Sequence, residues 1–246
     1  MLDKRKFYIN GRWVEPKRSN DFNVINPCNE EPCAIISLGS KEDTNAAIES
    51  AKNAFDTWKE TTKEDRLNYL EKLLSVYKKR SREMAEAISL EMGAPMDWAT
   101  EVQTASGQSH LEDFILRLKD FEFDEHFNKK SNNHIYYEPI GVCGLITPWN
   151  WPINQIALKV IPALATGCTM ILKPSEIAPI SGMLFAEMID EVGFPKGVFN
   201  LINGDGAGVG THLSGHPDID MISFTGSTRA GKLISKNAAE TIKRVC

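Results

Sequence analysis

The chain has 246 residues, of which 42% are hydrophobic and 25% charged, and it carries a formal net charge of −5. This composition is ordinary for a globular protein and allows one large α/β domain or two smaller ones. The acidic balance argues against a nucleic-acid binder, because no basic face is available for a phosphate backbone. No signal-peptide core follows Met1 and no apolar run approaches the roughly 18 residues of a membrane span, so we expect a cytoplasmic protein.

The cysteines and histidines do not form a metal-binding pattern. Cys28 and Cys33 are spaced like half of a zinc site, but no second Cys/His pair follows at a suitable distance. We therefore predict no metal and reduced thiols, as in a cytoplasmic protein, for the five cysteines. They are Cys28, Cys33, Cys143, Cys168 and Cys246.

The amino-terminal region begins with short strands. Residues 7–14 predict a hairpin, because Asn10-Gly11 separates two short apolar runs. A further strand is predicted over 33–38.

Helical periodicity follows, with start signals of the capping-box type at Ser40 with Asp43 and at Thr62 with Asp65. A third helix is expected to run from Ser81 to a stop at Gly93 and Pro95, and a fourth from about Met96 to Leu118. The polar segment 120–133 is expected to be a surface connection. Residues 134–138 alternate and predict an exposed edge strand or arm.

From Gly141 onward, strands and helices alternate in four βα units. Strands are predicted over 142–146, 169–172, 198–202 and 221–224, and helices over 153–165, 181–191, 209–213 and 227–239. This alternation predicts the fold class, an α/β protein with a Rossmann-like, doubly wound parallel sheet.

Each predicted strand ends in a polar or glycine-rich segment. Because the carboxyl ends of parallel strands meet at one edge, we expect these segments to converge where such sheets bind ligands. The four segments are Thr147-Pro148-Trp149-Asn150, Lys173-Pro174-Ser175-Glu176, Asn203-Gly204-Asp205-Gly206 and Thr225-Gly226-Ser227-Thr228.

The turn after the first of these strands presents one neutral amide. Pro148 and Pro152 fix φ at both ends of the turn, and the side chain of Asn150 can donate two hydrogen bonds between them. A stiff turn with an amide suits the stabilisation of a developing oxyanion.

The other segments have both nucleotide-binding and purely structural interpretations. Lys173 and Glu176 can hold two ribose hydroxyls, and the carboxylate would repel a 2′-phosphate, which favours NAD over NADP; the alternative is a surface ion pair. The run from Gly204 to Gly210 lacks glycine at the sixth position, so it is not the dinucleotide fingerprint. It is either a close approach of backbone to a flat ligand or a flexible turn. Ser227 can cap the last helix, whose free N–H groups suit a phosphate.

Five motifs in register resemble the aldehyde dehydrogenase superfamily. They are Pro148-Trp149-Asn150-Trp151-Pro152, the run Pro162 to Gly167, Lys173-Pro174-Ser175-Glu176, the run Gly193 to Val198, and Phe224-Thr225-Gly226-Ser227. Their order and spacing match from about Tyr8 to Val245.

The resemblance implies NAD(P)-dependent oxidation of an aldehyde to a carboxylate through a cysteine adduct. Asn150 would hold the oxyanion, and Lys159 matches a lysine sometimes placed in a proton path. The face of Trp151, Asn154 and Leu158 would line an aldehyde tunnel, although packing explains that face almost as well. The implied cofactor-binding residues are Ile146, Thr147, Pro148, Trp149, Lys173, Ser175, Glu176, Gly206, Ala207, Gly210, Phe224, Thr225, Gly226 and Ser227.

The resemblance also implies a division of the chain. Residues 1–132 would be the hairpin and helices of the cofactor domain, 133–141 part of an oligomerisation arm, and 142–246 the NAD-binding core. A homodimer or homotetramer is implied for the full-length protein.

The family's general-base motif, Glu-Leu-Gly-Gly-Lys, and its nucleophilic cysteine lie beyond Cys246. We therefore expect the amino-terminal half of an enzyme, inactive as written, in which Cys143 and Cys168 are packed apolar groups. The alternative is a stand-alone, non-catalytic nucleotide-binding or scaffolding module. The genomic sequence beyond Cys246 would decide between them.

Overall fold

A mixed sheet of seven strands runs through the computed structural model, which describes residues 1–128 and 132–246. The amino-terminal strands are β1 (Leu2–Asp3), β2 (Phe7–Ile9), β3 (Arg12–Val14), β4 (Asp21–Asn26) and β5 (Glu31–Ser37). The helices that follow are α1 (Lys41–Trp58), α2 (Lys63–Lys79), α3 (Ser81–Met92), α4 (Met96–Trp98) and α5 (Ala105–Asp120). A hairpin of β6 (Asp124–His126) and β7 (His134–Tyr136) precedes the alternating region.

The alternating region supplies the parallel core. Its elements are β8 (Val142–Ile146), α6 (Pro152–Ala165), β9 (Thr169–Lys173), α7 (Ile180–Val192), β10 (Phe199–Leu201), α8 (Thr211–Gly215), β11 (Met221–Phe224), α9 (Thr228–Ala239) and β12 (Arg244–Val245). The strand order is β12-β11-β8-β9-β10-β2-β3, parallel from β12 to β10, with β2 joining antiparallel to β10. The predicted parallel α/β sheet is thus confirmed.

Both faces of the parallel strands are buried, which explains their continuous apolar runs. Helices α6 and α7 cover one face, and α1, α8 and α9 cover the other. Successive residues of β8 alternate between the two cores, so that Leu145 packs on the α6 side and Ile146 on the α1 side.

The predicted amino-terminal signals are confirmed. Asn10 and Gly11 both have positive φ values, 53° and 68°, as the hairpin turn requires. Ser40 and Thr62 each form a reciprocal capping box with the acidic residue three positions on. Gly93 ends α3 with φ 78°, a conformation that residues with a Cβ rarely adopt.

The predicted continuous helix over 96–118 is wrong in one respect. Residues Ala99–Thr104 form a π-helical stretch between α4 and α5. Nearby, the hydroxyl of Tyr77 donates a hydrogen bond to the carbonyl of Thr104 at 2.8 Å. A Cβ at Gly107 would meet that same hydroxyl. A side chain from α2 therefore occupies the junction, which helical periodicity alone does not reveal.

The connection expected over 120–133 contains strand β6, which pairs with β7. Its sequence, Asp124-Glu125-His126, is fully exposed and has no apolar alternation that could have indicated a strand. Residues 129–131 of that connection lie outside the described residues. Among the described helices, none is long and apolar enough to cross a membrane.

Candidate nucleotide and oxyanion site

The carboxyl ends of neighbouring parallel strands meet at one edge of the sheet. Ile146 pairs in register with Lys173 on β9 and with Phe224 on β11. Beyond the strands, the amide of Thr147 donates to the carbonyl of Lys173 at 3.2 Å, and that of Thr225 to the carbonyl of Ile146 at 3.1 Å. The expected convergence of the strand ends is therefore present.

A cavity of about 520 Å³ lies at this edge, which is within the usual size of a small-molecule site. Six of the residues expected to bind a cofactor line it, namely Ile146, Lys173, Gly206, Ala207, Gly210 and Phe224. The other eight lie in the adjoining turns rather than in the cavity wall: Thr147, Pro148, Trp149, Ser175, Glu176, Thr225, Gly226 and Ser227.

Lys173 joins two of the loops. Its ammonium group is buried and donates to the carbonyls of Pro174 at 2.9 Å and Gly204 at 2.7 Å. It also lies 3.5 Å from a carboxylate oxygen of Glu176. Burial lowers the pKa of Lys173, and the charge of Glu176 opposes that shift. The cation is therefore buried with fixed partners, and its ion pair with Glu176 is exposed only on the carboxylate side.

Glu176 remains accessible, because its side chain is 28% exposed. Ser175 is buried, and its hydroxyl accepts from the amide of Ile177 at 3.3 Å. The loop therefore exposes the carboxylate of Glu176, while the buried hydroxyl of Ser175 holds the loop backbone in place.

The glycine-rich run forms a capped turn. Residues Gly206–Gly210 are π-helical, and the carboxylate of Asp205 accepts from the amide of Gly208 at 2.6 Å. A Cβ placed on Gly206 would meet nothing within 4 Å, so this backbone borders open space. An approaching ligand could therefore contact the peptide plane directly.

The turn before α9 is held at two points. The hydroxyl of Ser227 accepts from the amide of Ala230 at 3.2 Å and caps the helix, as expected. The hydroxyl of Thr225 accepts from the ammonium of Lys159 on α6 at 2.8 Å. Burial lowers the pKa of Lys159.

The turn after β8 is open. Trp149 is 49% exposed, Asn150 is exposed, and the side chain of Asn150 makes no hydrogen bond to any residue within the described ranges. Helix α6 begins at Pro152 without a side-chain cap. The amide donors of Asn150 and the first N–H groups of α6 are thus available to a ligand.

The expected tunnel face lies next to this turn. The ring of Trp151 meets that of Trp98 edge-on, with centroids 6.2 Å apart. The side-chain oxygen of Asn154 lies 2.8 Å from Nε2 of His110, and Leu158 is 41% exposed. Neither Trp98 nor His110 was identified from the sequence, because both belong to the interrupted fourth helix.

Sequence reasoning also missed one wall of the cavity. Helix α9 contributes residues with helical spacing, and the amphipathic pattern after Ser227 could have indicated them. They are Arg229, Ala230, Leu233, Ile234 and Asn237. Asp205, Thr211 and Ser214 from the glycine-rich turn and α8 complete the lining.

The fold and the site together define a doubly wound α/β protein with a cavity of about 520 Å³ at the carboxyl edge of its sheet. The aldehyde dehydrogenase family model matches residues 13–246, and the chain belongs to that family. The resemblance of the five sequence motifs is thereby confirmed.

Individual relatives agree with this assignment. The chain is 52% identical to 3-succinoylsemialdehyde-pyridine dehydrogenase of a Pseudomonas species over 246 residues, all of this chain but 51% of that protein. A crystal structure of aldehyde dehydrogenase from Bartonella henselae is 61% identical, with a TM-score of 0.99 over 100% of this chain and 52% of the other.

Another solved structure, a mutant of aldehyde dehydrogenase C from Pseudomonas syringae in complex with NAD⁺ and octanal, is 45% identical. Its TM-score is 0.95 over 98% of this chain and 49% of the other. The chain thus spans about half the length of the relatives that it matches.

Proposed function

We propose that the protein carrying this chain is an NAD-dependent aldehyde dehydrogenase that oxidises an aldehyde to a carboxylate. This chain supplies the nucleotide site and the oxyanion amide, and the nucleophilic cysteine and general-base glutamate lie beyond Cys246. One observation carries the proposal. The ends of neighbouring parallel strands border a cavity of about 520 Å³, and at the same edge lies the amide of Asn150, which has no hydrogen-bond partner among the residues that the structure describes.

The residues at this edge fit a dinucleotide. Lys173 and Glu176 offer a cation and an accessible carboxylate to the adenosine ribose hydroxyls, and the carboxylate disfavours the 2′-phosphate of NADP. Gly206 and Ala207 border the adenine, and the turn at Ser227 faces the diphosphate together with Trp149. The remaining contacts fall to Ile146, Thr147, Pro148, Ser175, Gly210, Phe224, Thr225 and Gly226.

NAD, when bound, supplies the hydride acceptor. Crystal structures of relatives support this choice, since those of the Pseudomonas syringae enzyme and of betaine aldehyde dehydrogenase from Staphylococcus aureus contain NAD⁺.

Asn150 acts on the reacting carbonyl. Its amide N–H groups have no acceptor in the described part of the chain and can donate to the oxygen that becomes negative when a thiolate attacks the aldehyde carbon. Because Pro148 and Pro152 hold the turn, the amide reaches that oxygen without reorganisation. The ammonium group of Lys159 donates a hydrogen bond to the hydroxyl of Thr225 at 2.8 Å, and at this position it can exchange protons close to the site.

The hairpin of β6 and β7 supports assembly of the whole protein into a homodimer or homotetramer. It exposes aromatic side chains, with Phe127 64% and Tyr136 66% accessible. Exposed aromatic side chains are enriched at protein–protein interfaces.

The second candidate function is a stand-alone nucleotide-binding module without catalysis. This chain forms a cavity of about 520 Å³ at the sheet edge, which is the observation in its favour. Activity separates the two proposals, because only the enzyme consumes aldehyde.

The test uses the protein expressed from the complete reading frame, alongside the 246-residue chain. We expect aldehyde-dependent formation of NADH, measured by absorbance, for the former alone. The substrate panel contains aliphatic and aromatic aldehydes and semialdehydes, including the pyridine semialdehyde in the name of the Pseudomonas relative. Nucleotide binding without turnover on every substrate would favour the module. Turnover by the 246-residue chain itself would contradict the division of residues proposed here.

A further inference from the structure

Glu91 is a buried carboxylate that lies outside the nucleotide edge. It belongs to the last turn of α3 and is 1% exposed. Its oxygens accept hydrogen bonds from the backbone amides of Ile180 and Ser181, the latter at 3.0 Å. These are the first two residues of α7.

Helix α7 has no cap of its own. Its N-cap residue is Pro179, and no side chain of that segment accepts from the first turn. The first N–H groups of a helix need external acceptors, and their partial positive charge favours a carboxylate. Glu91 therefore does from another helix what Ser40 and Thr62 do locally for α1 and α2.

The start of α7 is also the far end of a nucleotide loop. Residues 174–179 connect β9 to α7. Lys173 fixes the near end through the carbonyl of Pro174, and Glu91 fixes the far end at Ile180 and Ser181. Glu176 lies between these two anchors. A shift of α7 would therefore move its carboxylate relative to Lys173.

We propose that Glu91 is a positioning residue for nucleotide binding, which holds the loop 174–179 so that Lys173 and Glu176 meet the two hydroxyls of the adenosine ribose. This inference rests on the proposed function, which places the ribose at that loop. Glu91 itself does not touch the nucleotide. Its effect is transmitted by the backbone of α7 and should appear only with ligands that carry ribose hydroxyls.

The experiment measures binding of ADP to the protein expressed from the complete reading frame by calorimetry, well below the unfolding temperature. The same measurement is made with the dideoxy analogue of ADP, which lacks both ribose hydroxyls. The variants are Glu91→Ala and Glu91→Gln. Glu86→Gln is the matched control, since Glu86 is exposed on the same helix and pairs only with Arg82 among the residues that the structure describes.

We expect the Kd for ADP to rise about tenfold in Glu91→Ala, comparable to losing a hydrogen bond to a charged group. Glu91→Gln keeps the volume and one acceptor oxygen, so a rise of about threefold is expected. The control should match the unsubstituted protein. The dideoxy analogue should bind all four proteins equally.

Equal ADP affinity in all four proteins would overturn the role of Glu91. An equal loss for ADP and its dideoxy analogue would do the same, because it would indicate general loosening of the fold. If the alanine variant does not fold, the glutamine variant provides the same comparison. Absence of ADP binding by the unsubstituted protein would overturn this inference and the assigned nucleotide site together. A complete enzyme that fails to oxidise aldehydes would contradict the proposed function alone.

Discussion

Two segments leave neighbouring strands at the same edge of the sheet and differ in what holds them. The loop after β9 is fixed at one end by Lys173 and at the other by Glu91, through buried, charge-assisted hydrogen bonds. The turn after β8 is exposed, and Asn150 has no hydrogen-bond partner in the described ranges. Buried side chains brace the loop through hydrogen bonds, whereas the turn is restrained by two prolines, its backbone and the ring contact between Trp151 and Trp98.

This difference separates the part of the proposed site whose polar groups already have partners from the part whose donors await a ligand. At the ribose end of the proposed nucleotide site, Lys173 already has hydrogen-bond partners in the described part of the chain. At the proposed oxyanion end, the acceptor for the amide of Asn150 would arise only during the proposed reaction. Substitutions at the two segments should therefore separate binding from turnover.

The largest effect is expected for Asn150→Ala in the complete enzyme. Loss of an oxyanion donor should lower kcat on the order of 10²-fold, with little change in the Kd for NAD. Steady-state kinetics and calorimetry measure the two quantities. Asn68→Ala, on the exposed face of α2, is the matched control and should behave like the unsubstituted enzyme. An unchanged kcat would remove Asn150 from the mechanism.

The second effect concerns Lys173→Met in the 246-residue chain. Methionine fills similar space but leaves the carbonyls of Pro174 and Gly204 without their donor. We expect the Kd for NAD to rise about 30-fold, in line with losing a charged hydrogen bond. Lys79→Met, at an exposed position of α2, should leave it unchanged. A Kd within twofold of the unsubstituted value for Lys173→Met would argue against the ribose assignment.

The smallest effect is a pH dependence of stability that originates at Glu91. Burial raises the pKa of its carboxyl group to about 7, from 4.5 in the unfolded chain, against the opposing hydrogen bonds of α7. The thiol of Cys33 donates to the carbonyl of Val24 at 3.3 Å, and its pKa is raised by burial and, to a smaller extent, by the charge of Glu91.

The folded state therefore binds the proton more tightly than the unfolded state. This tighter proton binding stabilises the folded state fully at pH values below the pKa of the unfolded chain, and the stabilisation is lost as the pH rises toward 7. Between pH about 5.5 and about 7.5, we expect the chain to lose roughly 1 to 2 kcal/mol of unfolding free energy relative to Glu91→Gln. Urea unfolding at both pH values measures this difference. Parallel pH profiles for the two proteins would show that the carboxyl does not titrate in this range.

Local and periodic signals in the sequence were sufficient for most of the fold. Strands β8 and β11 have the predicted bounds because continuous apolar runs between polar segments define them. The capping pairs at Ser40 and Thr62 mark the helix starts for the same local reason. The π-helical stretch at Ala99–Thr104 escaped prediction, since it coincides with a tertiary contact from Tyr77.

The candidate site likewise contains residues that the sequence predicted and residues that depend on tertiary contacts. Lys173 and Glu176 follow a strand directly, so their position in the chain indicated their position at the sheet edge. Glu91 could not be found in this manner, because it lies 89 residues before the amide of Ile180 that it accepts from. His110 reaches Asn154 across 44 residues. Such partners depend on how helices pack, which residue spacing does not encode.

The side chain of Lys173 has a consequence for how the site can evolve. An ammonium group has three protons to donate, and two of them serve the carbonyls of Pro174 and Gly204. One donor is left to be shared between Glu176 and a ligand. An arginine would bring a planar fork that cannot follow this three-way geometry, although it keeps the charge. The geometry around Lys173 therefore favours an ammonium over a guanidinium group. The preference between NAD and NADP is more easily altered at Glu176.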